Sequence, residues 1–132
     1  MEFKISTERE AQFINITGLV QRAVSESGIQ DGIAVVFVPH TTAGVTINEN
    51  ADPDVVHDML LGLDRVFPKS PAYRHAEGNS HAHLKASAMG SSVTVIVEAG
   101  QLKLGTWQDI YFCEFDGPRQ RRVYVHGLGS GC

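Results

Sequence analysis

The chain has 132 residues, 42% of them hydrophobic and 20% charged, enough for one globular domain with a substantial core. A formal charge of −4 at pH 7 argues against general nucleic-acid binding, which is marked by a basic excess. No apolar run reaches the length of a membrane span, and MEFKISTERE lacks the basic-then-apolar layout of a signal peptide. Of the two cysteines, Cys113 lies inside IYFCEF and reads as a small core hydrophobe, while Cys132 closes the stretch GLGSGC. Two such cysteines make no disulfide framework, so a reducing, cytoplasmic location is expected.

Glu2 to Ser6 and Ala11 to Thr17 read as short strands separated by a turn. Thr17 then opens a helix carrying Leu19, Val20, Ala23 and Val24 at helical spacing, with Gly28 placed to stop it. The continuous apolar run Ile33 to Val38 predicts a strand covered on both faces, followed by a strand over Ala43 to Asn48. Asp52-Pro53 is a helix start, and Val55, Val56, Met59, Leu60, Leu63 and Val66 trace its apolar stripe up to Pro68. A loop to Asn79 precedes a short helix from a Ser80 cap through Ala88. Strands over Val93 to Glu98, Gln101 to Gly105, Asp109 to Phe115 and Arg121 to His126 complete the pattern, the first two joined by an AGQ hairpin turn. The expected class is α+β, with a two-layer antiparallel sandwich-like core and two to three helices in one domain over 1–132. Residues 126–132 are expected to form a flexible tail.

The chemistry concentrates in HAEGNSHAHLKASAMG and in the turn PHTTAG. Imidazole is the commonest metal ligand and titrates near neutral pH. His40 sits where the apolar strand breaks, followed by Thr41 and Thr42, whose hydroxyls and N–H groups suit an anion. Its alternative is a structural histidine at a strand end. On a helix His81 and His83 lie about 200° apart, so at most one of them ligates a shared ion. His83 is the choice, with His75 reaching in from the loop and His40 from the turn. Three histidines with an open fourth position make a catalytic zinc arrangement, although the spacing matches no HExxH or CxxC signature. A metal-free acid–base site and unrelated surface histidines are the competing readings. Glu77, Asn79 and Glu49 are candidates to orient ligands.

In GTWQDIYFCEFDGPR, alternation puts Gln108, Ile110, Phe112 and Glu114 on one strand face. Glu114 must be solvated at an edge or buried and paired, and in the functional version it is a base or supports a metal. Trp107 is either a pocket wall or a packing residue. The cluster Arg119, Arg121 and Arg122 reads as a solvated strand end or an intersubunit ion pair rather than a nucleic-acid patch.

The strings PHTTAGVTINENADPDV, YRHAEGNSHAHLKASAMGSSVTVIVEAGQLKLGTWQ and IYFCEFDGPRQRRV resemble the YjbQ family, small proteins labelled secondary thiamine-phosphate synthases. The resemblance runs from about Phe3 to Val125. It implies an α+β fold dominated by an antiparallel β-sandwich, a homotrimer, and a polar pocket in which a divalent metal such as zinc sits. It carries His40, His75 and His83 over as site histidines and places Asn79, Lys85, Trp107, Gln108 and Glu114 at motif positions. His81 departs from the family pattern.

The implied activity joins hydroxymethylpyrimidine pyrophosphate to thiazole phosphate, with Lys85, Arg74 and Arg119 as basic groups for the phosphates. The expected site therefore has His40, His83 and Glu114 as catalytic groups and His40, His75 and His83 as metal ligands. Thr41, Thr42, Asn79, Lys85, Trp107 and Gln108 are expected to contact a small phosphorylated or heteroaromatic ligand. The alternative is a non-catalytic trimer that binds a metal or phospho-ligand.

Overall fold

The computed structural model describes residues 1–130. Its elements are β1 (Glu2–Ser6), β2 (Gln12–Asn15), α1 (Thr17–Ser27), β3 (Asp31–Phe37), β4 (Ala43–Glu49), α2 (Pro53–Val66), α3 (Ser80–Met89), β5 (Ser92–Glu98), β6 (Gln101–Leu102), β7 (Gln108–Glu114) and β8 (Gln120–Ser130). All strand pairs are antiparallel: one sheet has the order β1-β8-β3-β5-β6 and the other β2-β7-β4. The fold is α+β, as the element pattern predicts.

Strand alternation assigns the layers. Ala34, Val36, Val95, Val97, Val123 and Val125 turn inward from the larger sheet and meet Val45, Ile110 and Phe112 of the smaller one. Helix α1 joins this core through Val20, Ala23 and Val24, and ends at Gly28, whose φ of 76° is the left-handed stop a helix needs. The opposite face of β7 presents Tyr111, Cys113 and Phe115 to Ala82 and Ala86 of α3. Thus α3 covers the outer side of the smaller sheet. β5 and β6 are joined by Ala99 and Gly100, both at positive φ, the geometry of a two-residue hairpin turn.

Several expectations are corrected. Strand β3 is not covered on both faces: Ala34 and Val36 are buried, but Phe37 is exposed, and Ile33 is flanked by Ile96 and Leu128, which are 59% and 54% exposed. Residues 126–130 are not a flexible tail. They extend β8 along β3, from His126 opposite Val35 to Ser130 opposite Asp31. The glycines there serve close approach, since a Cβ on Gly127 would stand 2.3 Å from Ile29 Cδ1 and one on Gly129 would stand 2.2 Å from the Asp31 carbonyl oxygen. The rest of that expected tail, including Cys132, lies outside the described residues. Of the expected Gln101–Gly105 strand, β6 takes in only Gln101 and Leu102, with the Lys103 N–H still donating to the Ile96 carbonyl at 2.8 Å. Helix α2 buries none of its residues fully, its apolar stripe resting half-covered on the second core through Val56 and Leu63. No helix among the described residues is long and apolar enough to cross a membrane.

Candidate functional site

β3 ends at Phe37, and the chain turns through Pro39 into the segment that holds His40. The backbone N–H of Arg122 donates to His40 Nε2 at 2.9 Å. An accepting Nε2 means that the neutral ring carries its proton on Nδ1. Partial burial, reinforced by the positive charges of Arg121 and Arg122, pushes the imidazole below its ordinary value of 6.5. His40 is therefore a neutral N–H donor at physiological pH. Thr41 follows it, and neither its N–H nor its hydroxyl bonds to any described residue.

Helix α3 sorts the histidine-rich run by face. His83 points to the cavity beside His40, whereas His81 is buried with Nε2 3.7 Å from Glu10. Lys85 follows the His81 face. It is buried, and its Nζ donates to Asp64 Oδ1 of α2 at 3.0 Å, so it does not stand free for an anion at the histidines. The expected Ser80 cap is corrected as well: Asn79 is the cap residue and makes no side-chain cap bond. Its Nδ2 donates to Asp116 Oδ2 at 2.8 Å instead, and its Oδ1 is buried without a partner.

Two adjoining cavities meet at this point. One, of about 470 Å³, brings together His40, His75, His83, Asn79, Asp116, Arg119 and Arg121, with Thr41, Thr42 and Glu77 on its walls. The other, of about 490 Å³, shares His40, Thr41 and His83 and is otherwise lined by small neutral residues of α3 and its C-terminal flank and by Ala43 of β4. In the first cavity Arg119 is held by Asp116, through its carbonyl at 2.9 Å and its Oδ2 at 3.2 Å. The sequence reading missed Asp116, because Asp before Gly-Pro is ordinary turn material. Arg121, expected at a solvated strand end or in an intersubunit ion pair, is instead in an ion pair within the chain.

Arg121 is 4% exposed and pairs with Glu114, which is fully buried. Glu114 shares the inner face of β7 with Ile110 and Phe112, and Arg121 shares that of β8 with Val123 and Val125. The carboxylate accepts from Thr7 Oγ1 and Arg121 Nε on one oxygen, both at 2.8 Å. Its other oxygen accepts from the N–H groups of Phe115 and Asp116, at 3.0 Å each, and from Arg121 Nη2. Burial alone would raise this carboxyl, but the bonds from Arg121, Asp116 and Thr7 outweigh it and hold the group below its ordinary value. With both oxygens so engaged, Glu114 has no lone pair left for a proton from a ligand, and its expected part as a catalytic base is replaced by anchoring. It sets Arg121, which also donates from Nη2 to Thr42 Oγ1 at 2.8 Å. Arg121 Nη1 bonds to no described residue.

Trp107 and Gln108 are not brought to the histidines. They stand at the opposite end of β7 from Glu114, about 20 Å away at the usual rise per strand residue. Trp107 is 62% exposed, and Gln108 Oε1 accepts from the Gly105 N–H at 2.8 Å. Glu49 pairs in register with Gln108 at that same far end.

The donor set fits a metal only in part. Imidazoles bound to one tetrahedral zinc at about 2.0 Å bring their ring centres to roughly 5–6 Å. His75 and His83 have ring centres 5.6 Å apart at an interplanar angle of 84°. His40 does not complete a triad, because its Nε2 is occupied by the Arg122 N–H. Among the described residues no three His, Cys, Asp or Glu side chains are gathered as a metal centre.

A two-sheet α+β domain with a histidine and arginine cavity at the sheet junction defines the class. The family model described as UPF0047 protein YjbQ-like matches residues 1–130, and the chain belongs to that family. The UPF0047 protein YugU of Bacillus subtilis is 54% identical over 127 residues, covering 96% of each chain. A UPF0047 protein of Methanocaldococcus jannaschii is 51% identical over 129 residues, covering 98% of this chain and 94% of its own. A crystal structure of a YjbQ/UPF0047 protein from Clostridium acetobutylicum superposes with a TM-score of 0.95 at 64% identity, covering 97% of this chain and 99% of that one.

Proposed function

We propose that the protein is a cytoplasmic enzyme acting on a small phosphorylated ligand, with thiamine-phosphate-synthase-like transfer as the specific activity to test. The observation that carries this reading is the presence, in one cavity with His40, His75 and His83, of hydrogen-bond donors with no partner among the described residues. Thr41, Arg121 and His40 line one cavity with His83, and Thr41 N–H and Oγ1, Arg121 Nη1 and His40 Nδ1–H bond to no described residue. Phosphate oxygens are recognised by such donor sets, arginine above all. His40 contributes as a neutral donor that stabilises charge on a ligand oxygen without itself ionising. Asp116, which lines the same cavity, adds a carboxylate acceptor suited to an amino or hydroxyl group. A divalent ion such as zinc belongs to the proposal through His75 and His83, where it would act as a Lewis acid toward a phosphate oxygen.

The assay supplies hydroxymethylpyrimidine pyrophosphate and thiazole phosphate and measures thiamine phosphate and pyrophosphate. Turnover by the wild type that falls at least about tenfold in His83→Ala supports the reading. Wild-type binding of phosphate without turnover on any phosphorylated substrate would favour a non-catalytic carrier.

The homotrimer is part of the same proposal. Its support is the outer face of the larger sheet, where Ile33, Phe37, Ile96 and Leu128 form an apolar patch. Light scattering should return three times the 14.4 kDa chain mass. Ile96→Lys should reduce that to one chain, and a wild-type monomer would sink the trimer.

A further inference from the structure

We infer that the outer face of the larger sheet carries a separate anion site, in which Lys4 and Arg122 take a doubly charged oxyanion, a sulfate or a phosphate group. This does not rest on the reading above, since Lys4 and Arg122 line neither histidine cavity.

Register makes the pair. β1 runs against β8 with Lys4 directly opposite Arg122. Ile5, Arg121 and Val123 are buried on the inner side, so alternation sends Lys4 and Arg122, both exposed, to the outer one. Side chains directly opposed in this way start about 5 Å apart at Cβ, where like charges repel. A lysine on an edge strand guards a sheet against extension, and β1 is an edge. That role does not account for Arg122, because β8 lies inside the sheet.

No counter-ion of the chain joins the two. Among the described residues neither Lys4 Nζ nor the Arg122 guanidinium makes a hydrogen bond, and Glu2 Oε1 comes only within 3.7 Å of Arg122 Nη1. The next pair on this face is neutral and self-satisfied, with Gln120 Nε2 donating to Ser6 Oγ at 2.7 Å. A cavity of about 480 Å³ opens here, lined by Lys4, Gln120, Arg121 and Arg122 without an acidic side chain. In a chain of net charge −4 this is local arrangement, not composition. Arg121 is already neutralised by Glu114, which leaves Lys4 and Arg122 as the uncompensated cations. A dianion balances both, whereas one carboxylate balances half. The tetrahedral oxygens of sulfate or phosphate also suit an ammonium beside a guanidinium fork.

The test titrates sulfate against chloride at constant ionic strength into the full-length protein, following the Lys4 amide and Arg122 Nε–H signals by NMR. Sulfate should move both signals on one saturating curve. Lys4→Gln, read at Arg122, and Arg122→Gln, read at Lys4, should each weaken binding about tenfold. Arg119→Ala, in the histidine cavity, should leave the curve unchanged. In sulfate-free buffer Lys4→Glu should melt above wild type, the like-charged pair having become an opposite one. Sulfate should then raise the wild-type melting point more than that of Lys4→Glu, its general salt effect being common to both. Glycerol phosphate that binds no more tightly than inorganic phosphate marks a site for the free ion. Tighter binding marks the charged end of a larger molecule. A response that never saturates, or one equally strong in Lys4→Gln, would overturn the site. Tyr124, two residues beyond Arg122, stands opposite Phe37 of the apolar patch, so the rival occupant is a second copy of the chain. Signals that move on dilution of the protein and not with sulfate would overturn the anion site in favour of an ion pair between subunits.

Discussion

Replacing Glu114 by glutamine preserves shape and removes only the charge, so it isolates what the carboxylate does. The variant leaves the Arg121 guanidinium, 4% exposed, without its counter-ion. It also turns an amide NH₂ toward one of the positions from which Arg121 Nε, Arg121 Nη2, Thr7 and two backbone N–H groups already donate. Removing one partner of a buried pair costs about 3–5 kcal/mol. Against a total stability of about 5–15 kcal/mol this is a large fraction. It corresponds to a melting point lower by about 11–18 °C for a chain of this size. Urea unfolding followed by circular dichroism measures it directly. The double variant Glu114→Gln/Arg121→Met, in which both charges are gone, should recover part of the loss. A Glu114→Gln protein within about 0.5 kcal/mol of wild type, yet unable to bind or turn over ligand, would refute the anchoring argument and return the carboxylate to the chemistry.

The same carboxyl sets an acid limit. Its folded value lies below the ordinary 4.5, so its contribution is complete above that value and is lost as pH falls through the folded one. His40, depressed below 6.5, acts in the same direction, since the fold favours its neutral form. Melting points should therefore decline gently below pH 6.5 and steeply below 4.5, and a flat profile down to pH 3 would contradict both assignments. For the metal, protein purified without chelators or a histidine tag should hold about one zinc per chain, lost in His75→Ala and His83→Ala and kept in His40→Ala. Loss in His40→Ala alone would place the ion elsewhere in the cavity.

Most of the fold was legible because strand alternation and helix stops are local signals. The period-two pattern of IYFCEF assigns Ile110 and Phe112 to one core and Tyr111, Cys113 and Phe115 to the other. The helical offset of His81 from His83 likewise separates a buried residue from a cavity residue. What escaped depends on distance along the chain. Lys85 looked free until α2 supplied Asp64, 21 positions away. Gly127 and Gly129 read as part of a flexible tail because their function lies in the approach of Ile29 and Asp31. Trp107 and Gln108 belong to the same string as Glu114 but to the other end of one strand, and a string does not report that separation.

Strand β8 explains why the anchor and the site are one construction. Arg121 and Arg122 are successive residues, so their side chains leave the sheet on opposite faces. Arg121 turns inward to Glu114, which fixes the strand against β7. Arg122, held by that same register, points its backbone N–H at His40 Nε2. The proton of the neutral imidazole is thereby confined to Nδ1, and the ring is oriented by main chain rather than by a mobile side chain. Main-chain orientation survives any substitution of the Arg122 side chain except proline, which has no N–H to donate. Glu114 therefore reaches the chemistry without touching a ligand: a shift of β8 against β7 would release His40 before it disturbed His75 or His83, which are held by the loop and by α3.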